Sequence, residues 1–232
     1  MTEDKCPPTP GGVAPHAVSV DQLLASGRLR YGGSVAPRGQ GALRTPANWG
    51  YAEVAGRFVE LCARGGSANL TIAADLVRDA QRQREPSAWI SPASSSFHAP
   101  DLADMGVDLE ALAVVRAPDM AGALRAADEL LRSGAFGMLV LDGVESRSLS
   151  MAAQVRLANL AQQHDAAFLC LCREPVVGSL ASLRLQTFHR RCGDPPGEDG
   201  YPVFEYGFEA VKDRRRGRRW TWSQTCRPPA GM

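Results

Sequence analysis

The residues whose types and spacing bear most directly on chemistry are GRFVELCARGGSANLT, positions 56–71. Gly56 to Cys62 has the apolar character of a strand, Ala63 to Ala68 is a small-residue loop containing Arg64, and the stretch from Asn69 to Arg84 is helical in pattern. Strand, glycine-bearing loop and helix in that order make the local architecture of a phosphate-binding loop. Such a loop needs an ammonium for the β and γ phosphates, a hydroxyl for the metal, and glycines that let backbone N–H groups close on the anion. At those places stand Asn69, Leu70 and Ala68. A lysine does not arrive easily from elsewhere, because the chain has only Lys5 and Lys212. The loop Ala63, Gly65, Gly66, Ser67, Ala68, Asn69, Leu70, Thr71 therefore keeps the outline of a phosphate cradle without its chemistry, and no cofactor is expected. Thr71 offers a hydroxyl and Arg64 a charge, but a back-bond within the first helical turn accounts for the former and solvent for the latter. An Asn69→Ala substitution is expected to be functionally silent.

Met138-Leu139-Val140-Leu141-Asp142 is an apolar strand ending in a carboxylate, the form in which an ATPase holds a metal-bound water at the edge of its sheet. Asp also starts turns and caps helices, and both readings of Asp142 stand. Residues 91–97, SPASSSF, follow a strand where such an enzyme places a water-orienting acid, and contain none. His16, His98, His164 and His189 are too dispersed for a metal centre, and no nucleophile elbow or Cys/His pair is present. Glu53, Glu60 and the pair Asp101/Asp104 read as surface charges. No catalytic residue and no metal site are expected, and the chain is not expected to be an enzyme.

A second cluster is Asp213-Arg214-Arg215-Arg216-Gly217-Arg218-Arg219, with Trp220 and Trp222 beside it. It could bind phosphates and stack a base, form a hairpin turn with a solvated rim, or dock an acidic partner. Together with Arg184, Arg190 and Arg191 it makes the last quarter of the chain the expected interaction surface.

The elements around these clusters alternate. Strands are expected at 57–62, 88–91, 112–116, 137–141 and 167–172, with helices at 69–84, 119–133 and 150–164. The 119–133 helix is bounded by Asp119 as N-cap and Gly134 past its end. Such alternation predicts an α/β fold with a mostly parallel sheet flanked by helices. Strand candidates at 183–189, 203–211 and 218–222 read as antiparallel C-terminal strands on one edge. Residues 1–17 read as a disordered leader, and 18–50 as an amphipathic helix at 20–29 carrying Leu23 and Leu24, followed by a connector. Residues 51–225 form the core domain, with a basic arm at about 210–222.

With 232 residues, 44% hydrophobic and 22% charged, the chain can bury one full core. A net charge of +1 argues against a protein coated in polyanion, so the basic arm is a local feature. Cys6, Cys62, Cys170, Cys172, Cys192 and Cys226 lack metal-site spacing and read as free thiols in a cytoplasmic setting. No membrane contact is expected, since no 18-residue apolar span exists.

Taken in order, these pieces resemble the core of the RecA recombinase family over about residues 55–222. Gly56 to Leu61 resembles the strand before the recombinase phosphate loop, and Met105-Gly106-Val107-Asp108 its short turn. Ala126 to Asp142 resembles the helix and metal-binding strand, and Thr187 to Arg191 the strand leaving the second DNA-binding loop. Both DNA-binding loops are shortened: about ten residues, REPVVGSLAS, separate Cys172 from Leu183. Degenerate RecA-like chains of this size resemble the ImuA family, which works with ImuB, a Y-family polymerase homologue, in SOS-induced translesion DNA synthesis and mutagenesis. The resemblance implies a DNA-damage-response adaptor that binds RecA and ImuB, with weak direct DNA contact as a further possibility. It places Leu23 and Leu24 at the RecA contact, and Arg214, Arg215, Arg216, Arg218, Arg219 and Trp220 at ImuB or DNA. The alternatives are a SulA-like inhibitor of cell division and a weak RecA-type ATPase.

Overall fold

Eight strands form one mixed sheet: β1 (Phe58–Ala63), β2 (Ser87–Pro92), β3 (Leu112–Ala117), β4 (Met138–Val144), β5 (Ala167–Cys172), β6 (Leu183–Cys192), β7 (Val203–Asp213) and β8 (Trp220–Cys226). This is a computed structural model that describes residues 49–63, 67–95, 97–176, 178–192, 203–217 and 219–226. The expected leader and 20–29 helix with Leu23 and Leu24, and also Arg64, Gly65, Gly66 and Arg218, lie outside the described residues.

The spatial order is β3-β2-β4-β5-β1-β6-β7-β8. Every neighbouring pair from β3 to β6 is parallel, and β7 and β8 are antiparallel additions. One expectation is corrected: β6 runs parallel to β1, with Val59 opposite Leu183, so only β7 and β8 run against their neighbours. The reason is the segment 173–182, which carries the chain back across one sheet face before β6 begins. Val176 and Ala181 of that segment are buried there, and the Ser182 N–H donates to the Phe58 carbonyl at 2.9 Å.

Helices cover both faces, as a parallel sheet requires. On one face lie α1 (Tyr51–Val54), α2 (Asn69–Arg82) and α3 (Pro100–Asp104). Ile72, Leu76 and Val77 of α2 pack there on Val59, Leu61, Val140 and Leu169, next to an aromatic group of Trp49, Phe208 and Trp220. On the other face α4 (Met120–Ser133) and α5 (Met151–Gln163) set Ala127, Leu131 and Leu157 against Phe58, Ile90, Leu141 and Phe168. Each fully buried Leu, Ile or Phe contributes on the order of 1.5–3 kcal/mol by leaving water. The Asp119 carboxylate caps α4 by accepting from the Gly122 N–H at 2.6 Å, and Gly134 ends it at φ 65°, a left-handed turn that glycine adopts without strain. Ser150 caps α5 through the Ala153 N–H at 3.3 Å.

Glu60 overturns its reading as a surface charge. It is fully buried on β1, because both faces of a central parallel strand are covered. Its Oε2 accepts from Arg184 Nε at 2.6 Å, and its Oε1 has no hydrogen-bond partner. Cys62, Cys170 and Cys172 are buried free thiols, with the Cys62 and Cys172 sulfurs 3.3 Å apart on paired strands. No helix among the described residues is long and apolar enough to cross a membrane.

Candidate functional site

Where the parallel strands end, a cleft of about 710 Å3 opens between the start of α2, the turn after β2, the end of β4 and the segment after β5. The degenerate loop supplies one wall. Ala68 is buried as the N-cap of α2, and the Ser67 hydroxyl accepts from the Asn69 N–H at 3.3 Å. At the place of the phosphate-binding lysine, Asn69 turns inward. Its amide nitrogen donates to the carbonyls of Leu61 (3.2 Å) and Cys172 (3.0 Å), and its oxygen accepts from the Thr187 hydroxyl at 2.6 Å. The Thr187 hydroxyl also lies 3.4 Å from the Cys62 carbonyl. One side chain thus ties together the ends of β1 and β5 and the middle of β6, so Asn69 has a structural part that its reading as a failed phosphate ligand did not include. Leu70, at the place of the metal-binding hydroxyl, lines the cleft and is 49% exposed. Thr71 is half-buried in the first turn of α2, and its hydroxyl makes no hydrogen bond to a described residue.

Asp142 faces the same cleft. Its carboxylate accepts from the Ser95 hydroxyl at 2.5 Å and from the Gly143 N–H at 2.7 Å, where the pairing of β4 with β5 shifts register. The carboxylate is thereby held as the acceptor of a turn, with Ser95 supplied by the stretch that carries no acid. Among the described residues, Asp142, Glu145 and Glu174 line the cleft against the single cation Arg173. The charge that these residues supply opposes a triphosphate. No group of three or more His, Cys, Asp or Glu among the described residues could hold a metal ion.

The arginine cluster lies at the opposite edge of the sheet, where β1 and β6 begin, so the two candidate regions do not meet. It is the hairpin turn between β7 and β8, closed by the Gly217 N–H on the Asp213 carbonyl at 2.8 Å. Sequence reasoning missed its organising residue. The Asp213 carboxylate, shielded from solvent, accepts from Arg57 Nη2 (2.7 Å), Trp220 Nε1 (3.0 Å) and the amides of Arg215 (2.9 Å) and Arg216 (3.3 Å). Burial pushes the Asp213 carboxyl up, but the hydrogen bonds from Arg57 and Trp220 and the Arg57 charge outweigh it and hold the group below its ordinary value. Burial lowers Arg57 in turn, against the pull of Asp213. An Asp one residue ahead of a run closed by Gly is the signal that could have marked it as the turn's acceptor.

The turn's arginines have separate fates. Arg216 pairs with Glu53 at 2.6 Å and lies 5.5 Å over the Trp220 ring. Arg215 donates to the Ala55 carbonyl at 2.8 Å, and Arg219 pairs with Glu209 at 3.3 Å. Arg214 is exposed. Trp220 is corrected from an interaction residue to a core residue: it is 2% exposed, with Phe208 and Trp49 on it at 5.3 and 5.7 Å. No base can stack there. Of the strand arginines, Arg184 belongs to buried Glu60 at the same edge, while Arg190 pairs with Glu205 at 2.6 Å near the far end of β6. Among the described residues, the arginines of the turn and those of β6 therefore do not gather at one place.

Residues 35–165, more than half of the chain, match the model of the RecA N-terminal domain. The chain belongs to the RecA family. The match spans positions 63–71 of the degenerate loop and the strand that carries Asp142. No curated protein matches the chain.

Proposed function

We propose that this RecA-family chain is a non-catalytic adaptor in SOS-induced translesion synthesis, binding RecA and an ImuB-type Y-family polymerase homologue in the cytoplasm. The observation that carries the reading is Asn69. The lysine position is occupied by a side chain spent entirely on joining three strands, which preserves a RecA-like shape while removing the means of gripping phosphate. Shape without phosphate chemistry suits a protein that works by being recognised. The choice of partners follows the ImuA resemblance and is fold-level analogy. On this reading Leu23 and Leu24 meet RecA, and the arginine turn, Arg214 to Arg216 with Arg218 and Arg219, meets ImuB or makes weak contact with DNA.

The test is a binding panel of purified chain against RecA, ImuB and the tubulin-like division protein, each with and without ATP. Nucleotide-independent binding to RecA or ImuB is expected. Binding to the division protein alone would replace the adaptor with a SulA-like inhibitor. An ATPase activity abolished by Asp142→Ala would make the chain an enzyme.

A further inference from the structure

At the edge of the sheet where β1 begins, a second cleft of about 390 Å3 lies between the arginine turn and the last turns of α5. Its two walls differ in chemistry. The cationic wall is Arg214 and Arg215. The Arg214 guanidinium has no hydrogen bond or ion pair with any described residue, and Arg215 places one nitrogen on the Ala55 carbonyl, leaving its other donors unused. The opposite wall carries the amides of Asn159 and Gln162, exposed on one face of α5 at i, i+3 spacing and likewise without a described partner. Gly56 sits between the walls at φ 65°, where a Cβ would come within 2.6 Å of the Asp165 carboxylate and 3.8 Å of the Arg215 guanidinium. Glycine there keeps the mouth open.

We propose that this cleft takes an acidic peptide segment of a protein partner, with its carboxylates on Arg214 and Arg215 and its main chain on Asn159 and Gln162. A guanidinium presents a planar fork of donors that matches a carboxylate, and a side-chain amide both donates to and accepts from a peptide group. A nucleic acid fits less well. Arg57 in the same wall is already paired with Asp213 and Asp165 also lines the cleft, so the charges left are those of Arg214 and Arg215, enough for two carboxylates and too few for a row of phosphates. Nor does the described lining offer a free ring face on which a base could stack, since its one ring, Phe58, is buried. The inference rests on the adaptor reading, since it names the chemistry of one partner segment.

The experiment is fluorescence anisotropy on the full chain with a labelled Glu-Gly repeat peptide and, separately, oligothymidylate of the same length. The peptide is expected to bind saturably and more tightly than the oligonucleotide. Arg214→Glu, at an exposed side chain without a partner, should weaken it about tenfold or more. Asn159→Ala with Gln162→Ala should weaken it several-fold, and Arg190→Glu at the far end of β6 should leave it unchanged. Absence of saturable peptide binding, wild-type affinity in a folded Arg214→Glu variant, or tighter binding of oligothymidylate overturns the proposal. Loss of peptide binding alongside intact RecA and ImuB binding removes this cleft alone. Peptide binding alongside failure on both proteins supports the cleft and removes the adaptor reading.

Discussion

The Thr187 hydroxyl donates to Asn69 Oδ1 at 2.6 Å, a contact between residues 118 positions apart in the chain. It closes a network in which Asn69 also holds the carbonyls of Leu61 and Cys172, so that the entry to α2 is fastened to three strands. Asn69→Ala leaves two carbonyls and a hydroxyl in a buried place without their partner. The expected cost is about 1–3 kcal/mol, read as a lower urea midpoint with an unchanged slope. A midpoint equal to wild type would show that water replaces the amide at no loss.

The Arg57–Asp213 pair, with both side chains almost wholly out of solvent, joins the start of β1 to the end of β7. Removing one partner strands the other charge, and Asp213→Ala is expected to lose about 3–5 kcal/mol. The double variant Arg57→Met/Asp213→Leu should lose much less than the sum of the single variants. Additive losses in that cycle would mean that the two groups act independently.

The same carboxylate sets a pH dependence. Asp213 is held below its ordinary value in the fold, so its stabilisation is present above the carboxylate range of the unfolded chain and disappears as pH falls through the folded value. Stability should therefore decline on acidification below about pH 4. In Asp213→Asn that acid-side slope should be shallower, and an identical slope in both proteins would assign the decline to other groups.

Magnesium ATP is expected to leave the thermal midpoint where it is. A ligand present at about 100 times its dissociation constant stabilises by about 2.7 kcal/mol, a shift easily seen in a melting curve. A rise that Asp142→Ala removes would restore a nucleotide to the cleft.

The fold was legible in the sequence wherever the signal was local. Asp119 and Gly134 bounded α4 because a cap and a left-handed residue are written in single residues. The short helices α1 and α3 escaped notice, since segments of four and five residues hold too little of a helical period to register. Glu60 was misread because a lone acid among apolar residues looks like a solvent position until both faces of its strand are covered. Asp213 was not recognised as a partner of Arg57, 156 positions away, because pairing at that range is set by topology. Asn69 was legible as the wrong residue for phosphate, but what it does instead depends on Leu61, Cys172 and Thr187 converging, which only the sheet order reveals.

The Asn69 bridge has a consequence for regulation. In a nucleotide-gripping loop, the cohesion of the loop with the strand ends depends on an occupant that comes and goes, so the conformation reports on the supply of that occupant. Here β1 pairs with β5 and β6 through its own backbone, and α2 is fastened to all three by a side chain that never leaves. The junction of α2 with those strands therefore needs no bound occupant to hold it.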